Sequence, residues 1–287
     1  MDRLLFGDNQ FFGVNHLSDE KGRQLAIKFG RIEAIMDVLD YCQSLGINTF
    51  VCSTRPQIAN ITEFVRKNPS KYENFKISPT IPDVHKYNNA LSELGILGTI
   101  KNFVPSNFVN FLSKGALSFI KKDFLSMLKV LIDSEMQMFR SINVDVIYLQ
   151  NNVTDLLLGL EMKSVFKSFA DYIRKKYHAE PGFMTMNVPR LVEFIEYAQI
   201  ENPVICGSIN KIGFRMFGGK EKYEEVLKTK KYRYVAMQPL AAGAIAPKEA
   251  FEYLVQFDNI VSILFGSSSK AHILETKRII EELDNNK

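Results

Sequence analysis

The sequence predicts a (β/α)8 TIM barrel, and three observations carry that prediction. Short β-rich runs alternate with long helical runs through eight strand–helix units. Strands separated by helices pair in parallel through right-handed crossovers. A chain of 287 residues is the right length for eight such units closed on themselves. The first strand leads into GDNQFFG, where an open doubly wound sheet would carry a GxGxxG phosphate turn. Residues 1–287 therefore read as one barrel domain of the α/β class.

The first strand is Leu4–Phe6. The run IKFGRIEAIMDVLDYCQSLG has apolar residues at helical spacing and stops at Gly46. INTFVC is the second strand and IANITEFVRK its helix, ended by NPSKYEN. FKISPTI is the third strand. The helix FLSMLKVLIDSEMQMFRSI precedes the fourth strand, VDVIYLQN. MKSVFKSFADYIRKKYH, GFMTMN, VPRLVEFIEYAQ, PVICGSIN and KEKYEEVLKT continue the alternation. YVAMQPLAAG, PKEAFEYLVQF, IVSILFGSSS and HILETKRIIEEL close it.

Residues 82–122 are too long for a βα loop. They are rich in apolar residues, and Pro105 divides them into two short helices. Because the segment follows a strand, it belongs at the catalytic face, as a lid or a packed helical hairpin. Peripheral membrane contact through 90–122, with Lys101, Lys114, Lys121 and Lys122 on a polar side, ranks last.

An apolar fraction of 46% is that of a globular protein with a large core. The net charge of +4 is spread among nearly as many acids as bases, which argues against nucleic acid as a partner. Cys42, Cys52 and Cys206 form no CxxC pair, so neither a zinc site nor a disulfide framework is expected. A reducing cytoplasm is the expected compartment. MDRLLFGDNQ lacks the pattern of a signal peptide, and no run reaches the roughly 18 apolar residues of a spanning helix.

In a barrel of this kind the site forms at the C-terminal ends of the strands. GDNQFFGVNH after the first strand is the richest segment there. Asp8 and His16 could act as an acid–base pair, and the amides of Asn9 and Gln10 suit a hydroxyl-rich ligand. Cys52, Thr54 and Arg55 follow the second strand, and Asp83 and His85 the third. Gln150, Asn151 and Asn152 end the fourth, Asn187 and Arg190 follow the fifth, and Ser208, Asn210 and Lys211 the sixth. Gln238 ends the seventh. Cys52 reads first as core packing, and as a nucleophile only if Arg55 lowers its pKa. Asp8, His16, Asp83 and His85 lack a metal-ligand spacing, so no metal is expected. After the last strand, Gly266, Ser267, Ser268 and Ser269 precede a helix, where small residues and free N–H groups suit a phosphate.

Four segments together resemble the aldo/keto-reductase superfamily. IVSILFGSSSKAHILET is similar to that family's last strand and phosphate loop, and YVAMQPLAAGAI to its seventh strand. VDVIYLQN resembles its fourth strand and LGINTFVCST its second. The resemblance spans most of the chain outside 82–122. It implies the aldo/keto-reductase barrel, NADP(H) bound in an extended pose, and carbonyl reduction by an Asp-Tyr-Lys-His tetrad. Carried over residue by residue, the Asp falls on Val51, the Tyr near Pro56, the Lys near Thr80 or Pro79, and the His on Gln150. The tetrad is thus expected to be missing. On the cofactor side, His272 stands where the family has an Arg for a 2′-phosphate. Glu275 and Thr276 stand where a pair holds adenine. Asn187 matches the residue that binds the nicotinamide amide, and Gln238 replaces a Ser.

The sequence thus predicts an enzyme acting on a small phosphorylated or nucleotide-linked, sugar-like metabolite by acid–base chemistry, as a lyase, epimerase or isomerase. Asp8 and His16 would be catalytic, with Asn9, Gln10, Arg55, Gln150 and Asn151 on the substrate. One alternative is an NADP(H)-dependent oxidoreductase whose proton donor has moved to Tyr148, Tyr87 or His85. Another is a non-catalytic barrel that binds a ligand or a partner. NADP is the cofactor the resemblance implies, and the missing tetrad does not support it.

Overall fold

The computed structural model describes residues 1–14, 18–83 and 117–286, the side chains of 117–123 excepted. The eight expected strands are β1 (Leu4–Gly7), β2 (Thr49–Cys52), β3 (Lys76–Ile81), β4 (Val146–Leu149), β5 (Glu180–Thr185), β6 (Val204–Ser208), β7 (Arg233–Met237) and β8 (Ile260–Phe265). Each pairs in parallel with the next, and β1 pairs with β8, so the sheet closes into a barrel in chain order. β2, β4 and β6 are buried at every position. A parallel sheet needs that pattern, because helices cover its outer face and side chains fill its inside.

The helices are α1 (Asp19–Lys28), α2 (Ile32–Ser44), α3 (Pro56–Lys67), α4 (Leu117–Met136), α5 (Asn151–Gly159), α6 (Lys163–Tyr177), α7 (Val188–Tyr197), α8 (Lys220–Thr229), α9 (Pro247–Leu254) and α10 (Lys270–Asn285). They depart from the sequence reading in three places. The single run expected from Ile27 to Gly46 is two helices, broken at 29–31 around Gly30. α1 has its own start, where Ser18 Oγ accepts from the Lys21 N–H at 3.3 Å. α5 was not foreseen, because its polar first residues read as the loop after β4. α4 begins at Leu117, so the end of the expected insertion is its first turns. Residues 84–116 of the insertion lie outside the described residues. Among the described residues no helix is long and apolar enough to cross a membrane.

Two apolar layers hold the barrel. The larger lies between strands and helices and contains Phe50, Ile77, Phe166, Phe183, Phe194 and Phe251. The smaller is built from strand residues alone: Leu5, Val51, Val146, Tyr148, Met184, Val204, Cys206 and Val235, with Met237 and Leu264 half-buried beside them. These residues alternate along their strands, which is how the barrel interior is filled. Tyr148 fits because Gly182 faces it. A Cβ at Gly182 would lie 2.3 Å from the Tyr148 ring.

Candidate active site at the barrel mouth

Inward-facing positions at the C-terminal strand ends determine what a ligand meets. Asp8 directly follows β1. Its Oδ2 accepts from both the N–H and the hydroxyl of Ser53, each at 2.8 Å. Ser53 continues the inward parity of Val51, so the two loops meet over the barrel. Burial pushes the Asp8 carboxyl up, and the Ser53 bonds and the Arg55 guanidinium offset only part of that, so the net shift is upward. Gln10 is buried and donates from Nε2 to the Gly7 carbonyl at 2.6 Å. Its Oε1 rests where a Cβ on Gly266 would stand, 2.3 Å from that position. Gln10 thus packs its amide between the β1 loop and Gly266. Arg55 sits at the start of α3 with its guanidinium over the Phe12 ring, 4.9 Å from the centroid. Asn9 is exposed.

Around β2–β4 the polar groups are mostly structural. Thr54 donates to Glu135 Oε2 of α4 at 2.7 Å, and the Asp83 N–H to both Glu135 oxygens at 3.0 and 3.2 Å. Val51 packs inside the barrel, and Thr80 lies opposite Tyr148 in register. The Gln150 N–H donates to the Ile81 carbonyl at 2.9 Å, and the Gln150 carbonyl starts α5. Asn151 donates to its neighbour Asn152 at 3.1 Å.

Across the mouth, Asn187 caps α7, its Oδ1 accepting from the Arg190 N–H at 3.2 Å. Gln238 is left-handed, φ 55°, and its Oε1 accepts from the Ser208 hydroxyl at 3.0 Å. With those oxygens engaged, both side chains offer an NH2 to a ligand. Gly266 is exposed, and the Ser269 N–H donates to Ser267 Oγ at 3.1 Å. Ser269 Oγ accepts from the His272 N–H at 3.5 Å and caps α10. Lys28 of α1 donates to the Ser268 carbonyl at 2.7 Å. Glu275 is exposed farther along α10.

The structure therefore gathers Asp8, Gln10, Arg55 and Gly266 on the β8–β1–β2 arc. Asn187 and Gln238 stand on the β5–β7 arc. His16, His85 and Tyr87 lie outside the described residues. Several alternatives are corrected. Cys52 is buried, and burial followed by the nearby Asp8 pushes its thiol up, the reverse of what a nucleophile needs. Tyr148 is buried inside the barrel and burial pushes its hydroxyl up, so it is not a donor at the mouth. Lys211, exposed, pairs with Glu249 at 2.6 Å. Among the described residues no group of three or more His, Cys, Asp and Glu is placed to hold a metal.

Sequence reasoning missed Ser53, Lys28 and Glu135. The strand parity of Val51 was the available signal for Ser53. Lys28 and Glu135 reach the site region across 240 and 52–81 residues of chain, and no local pattern marks them.

No protein-family profile matches the sequence, and no curated protein matches it. Solved structures do. A Pseudomonas aeruginosa protein assigned as an aldo-keto reductase superposes with a TM-score of 0.61 at 12% identity, covering 98% of this chain and 90% of that one. A thermostable aldo-keto reductase solved with the inhibitor epalrestat gives 0.57 at 12% identity, covering 99% and 95%. The aldo-keto reductase of Bacillus halodurans in its holo form gives 0.54 at 11%, covering 97% and 86%. At such identities the likeness shows the fold: this chain is an aldo-keto-reductase-like (β/α)8 barrel.

Proposed function

We propose that the protein is a nicotinamide-dinucleotide-dependent oxidoreductase acting on small carbonyl compounds, with Asp8 as its proton-transfer group. The observation that carries the proposal is the β8–α10 loop. In an aldo-keto-reductase-like barrel, Gly266–Ser269 open onto the α10 N-terminus, and Lys28 adds a cation at the rim. A helix N-terminus with small residues before it suits a phosphate. Asn187 and Gln238 have NH2 groups to offer a carboxamide oxygen, because their own oxygens are engaged. These residues fit a nicotinamide dinucleotide.

When bound, the reduced nicotinamide supplies a hydride. The chain's own part is to hold the proton that the carbonyl oxygen needs as it becomes an alcohol. Asp8 Oδ2 accepts two hydrogen bonds from Ser53, which leaves Oδ1 to carry the proton. Its upward shift keeps it protonated to higher pH than a free carboxyl. Gln150 and Asn151 would border the substrate, with the Gln10 amide lying beside Gly266.

One observation favours a second reading, acid–base chemistry without hydride on a phosphorylated metabolite. Val51 and Thr80, the positions the resemblance gives to an Asp and a Lys, carry no titratable group. A single experiment separates the two. NADPH should raise the melting temperature and be oxidised with carbonyl substrates. Asp8→Asn should retain NADPH binding and lose turnover by about 10²–10⁴-fold. Turnover that survives Asp8→Asn would remove Asp8 from the mechanism. No NADPH binding, with Asp8-dependent conversion of a phosphorylated metabolite, would establish the second reading instead.

A further inference from the structure

We propose that Arg55 anchors an oxyanionic group of the substrate, a carboxylate or a phosphate, which makes small oxo acids and phosphorylated aldehydes or ketones the substrate class. The inference rests on the oxidoreductase reading and gives it a specificity determinant.

Arg3, Arg55, Arg174, Arg190 and Arg233 are the half-buried arginines among the described residues. Arg3 binds Asp284 at 2.8 Å, and Arg174 donates to the Glu201 carbonyl. Arg190 pairs with Glu161 and Glu193, and Arg233 with Glu180 at 2.8 Å. Arg55 makes no hydrogen bond or ion pair from its guanidinium to any described residue; its partner is the face of Phe12. A guanidinium has five N–H donors, and none of Arg55's nitrogens is among the buried unpartnered atoms, so they face water that an anionic ligand can replace.

Local structure holds the side chain in place. Pro56 follows, and a residue before proline is confined to extended backbone. Arg55 accordingly has φ −59° and ψ 153°. Its carbonyl accepts from the Ile58 N–H at 2.9 Å as α3 begins. Phe12 supports the guanidinium from the β1 loop at 4.9 Å. Asp8 is near enough for the two charges to interact, yet no bond joins them. Asp8 has Oδ2 committed to Ser53 and Oδ1 open. An acid and a cation therefore stand beside each other at the strand ends with no hydrogen bond between them. A carbonyl next to a carboxylate, or a short chain from a phosphate, can meet Asp8 with its oxygen and Arg55 with its charge. The interior residues below, Met184, Met237 and Leu264, are apolar and supply no competing charge.

The test compares wild type with Arg55→Met, which keeps the stem and removes the charge, and with Arg55→Lys. Substrates are matched pairs: 2-oxobutanoate against butanone, and glyceraldehyde 3-phosphate against glyceraldehyde. With saturating NADPH, wild type should favour the charged member of at least one pair. Arg55→Met should collapse that preference by roughly 10- to 100-fold, and Arg55→Lys should keep part of it. The pair that responds identifies carboxylate or phosphate. Thermal shift with the charged compounds alone, without NADPH, gives a second readout: wild type is stabilised and Arg55→Met is not. Equal handling of charged and neutral members by wild type, or a preference that persists in Arg55→Met, overturns the proposal. If NADPH neither binds nor is oxidised, the oxidoreductase reading fails, and the cofactor-free shift still decides Arg55.

Discussion

Asp8 and Asp133 shift in opposite directions, and their surroundings explain why. Asp8 is pushed up by burial, with the Ser53 bonds and Arg55 as the weaker opposing effects. Burial also raises Asp133, but Lys176 at 2.6 Å and the hydroxyls of Tyr172 and Tyr177 at 2.6 and 2.5 Å outweigh it and lower the net value. The linkage signs follow. A raised carboxyl binds its proton more tightly when folded, so Asp8 costs stability as pH rises from the ordinary carboxylate range through its folded value. A lowered carboxyl stabilises above the ordinary carboxylate range, and that contribution is lost as pH falls through its folded value. Asp8→Asn should therefore raise the melting temperature at neutral pH and flatten its fall across that window, while abolishing turnover. Asp133→Asn should lower it slightly at neutral pH, screened by solvent, and match wild type in acid. Calorimetry from strongly acid to neutral pH checks both. Asp8, Arg55 and Gly266 were legible as site candidates because they stand at strand ends. Ser53 was not, because only the neighbouring strand makes it Asp8's partner.

At the scale of elements, α4 shows what the helix pattern leaves out. Its apolar spacing marks a helix, but Glu135, deep in its buried face, reads as a misplaced charge. In the fold that carboxylate accepts from Thr54 after β2 and from the Asp83 N–H after β3, and so clamps two loops at the mouth. Glu135→Ala should cost about 2–4 kcal/mol in urea unfolding, because buried donors lose their acceptor. A loss under about 0.5 kcal/mol would show that the clamp does not hold the loops. α5 was illegible for a related reason. Its Asn-Asn start resembles a loop, and Asp155 is explained only by the Thr185 hydroxyl and Met186 N–H that it binds across the β4–β5 connection.

The whole barrel can be tested at two glycines whose added methyl would meet different neighbours. At Gly182 the methyl would strike the Tyr148 ring at 2.3 Å and Val146 at 2.8 Å, inside a filled interior. Gly182→Ala should cost about 2–3 kcal/mol or fail to fold. At Gly266 the methyl meets only the Gln10 side chain, whose end can swing aside. Gly266→Ala should fold with a loss below about 1 kcal/mol and weaken NADPH binding, as denaturation and titration would show.

The sequence by itself determined the architecture. Eight strand–helix alternations, turn residues at their ends and apolar periodicity are local properties, and parallel βαβ units have few ways to close. It also determined the loop at Gly266–Ser269, because small residues before a helix are a local sign. Only the tertiary structure decided which groups share the mouth. Closure pairs β1 with β8, which lays Gln10 on Gly266 and joins Arg3 to Asp284 across 281 residues. The side-chain period of two along β1 and β2 turns Asp8 to Ser53 and leaves Arg55 without an ion pair. Whether a charge is paired depends on contacts between distant strands. No segment carries that information alone, because each strand contributes one side chain and the barrel sets the neighbours.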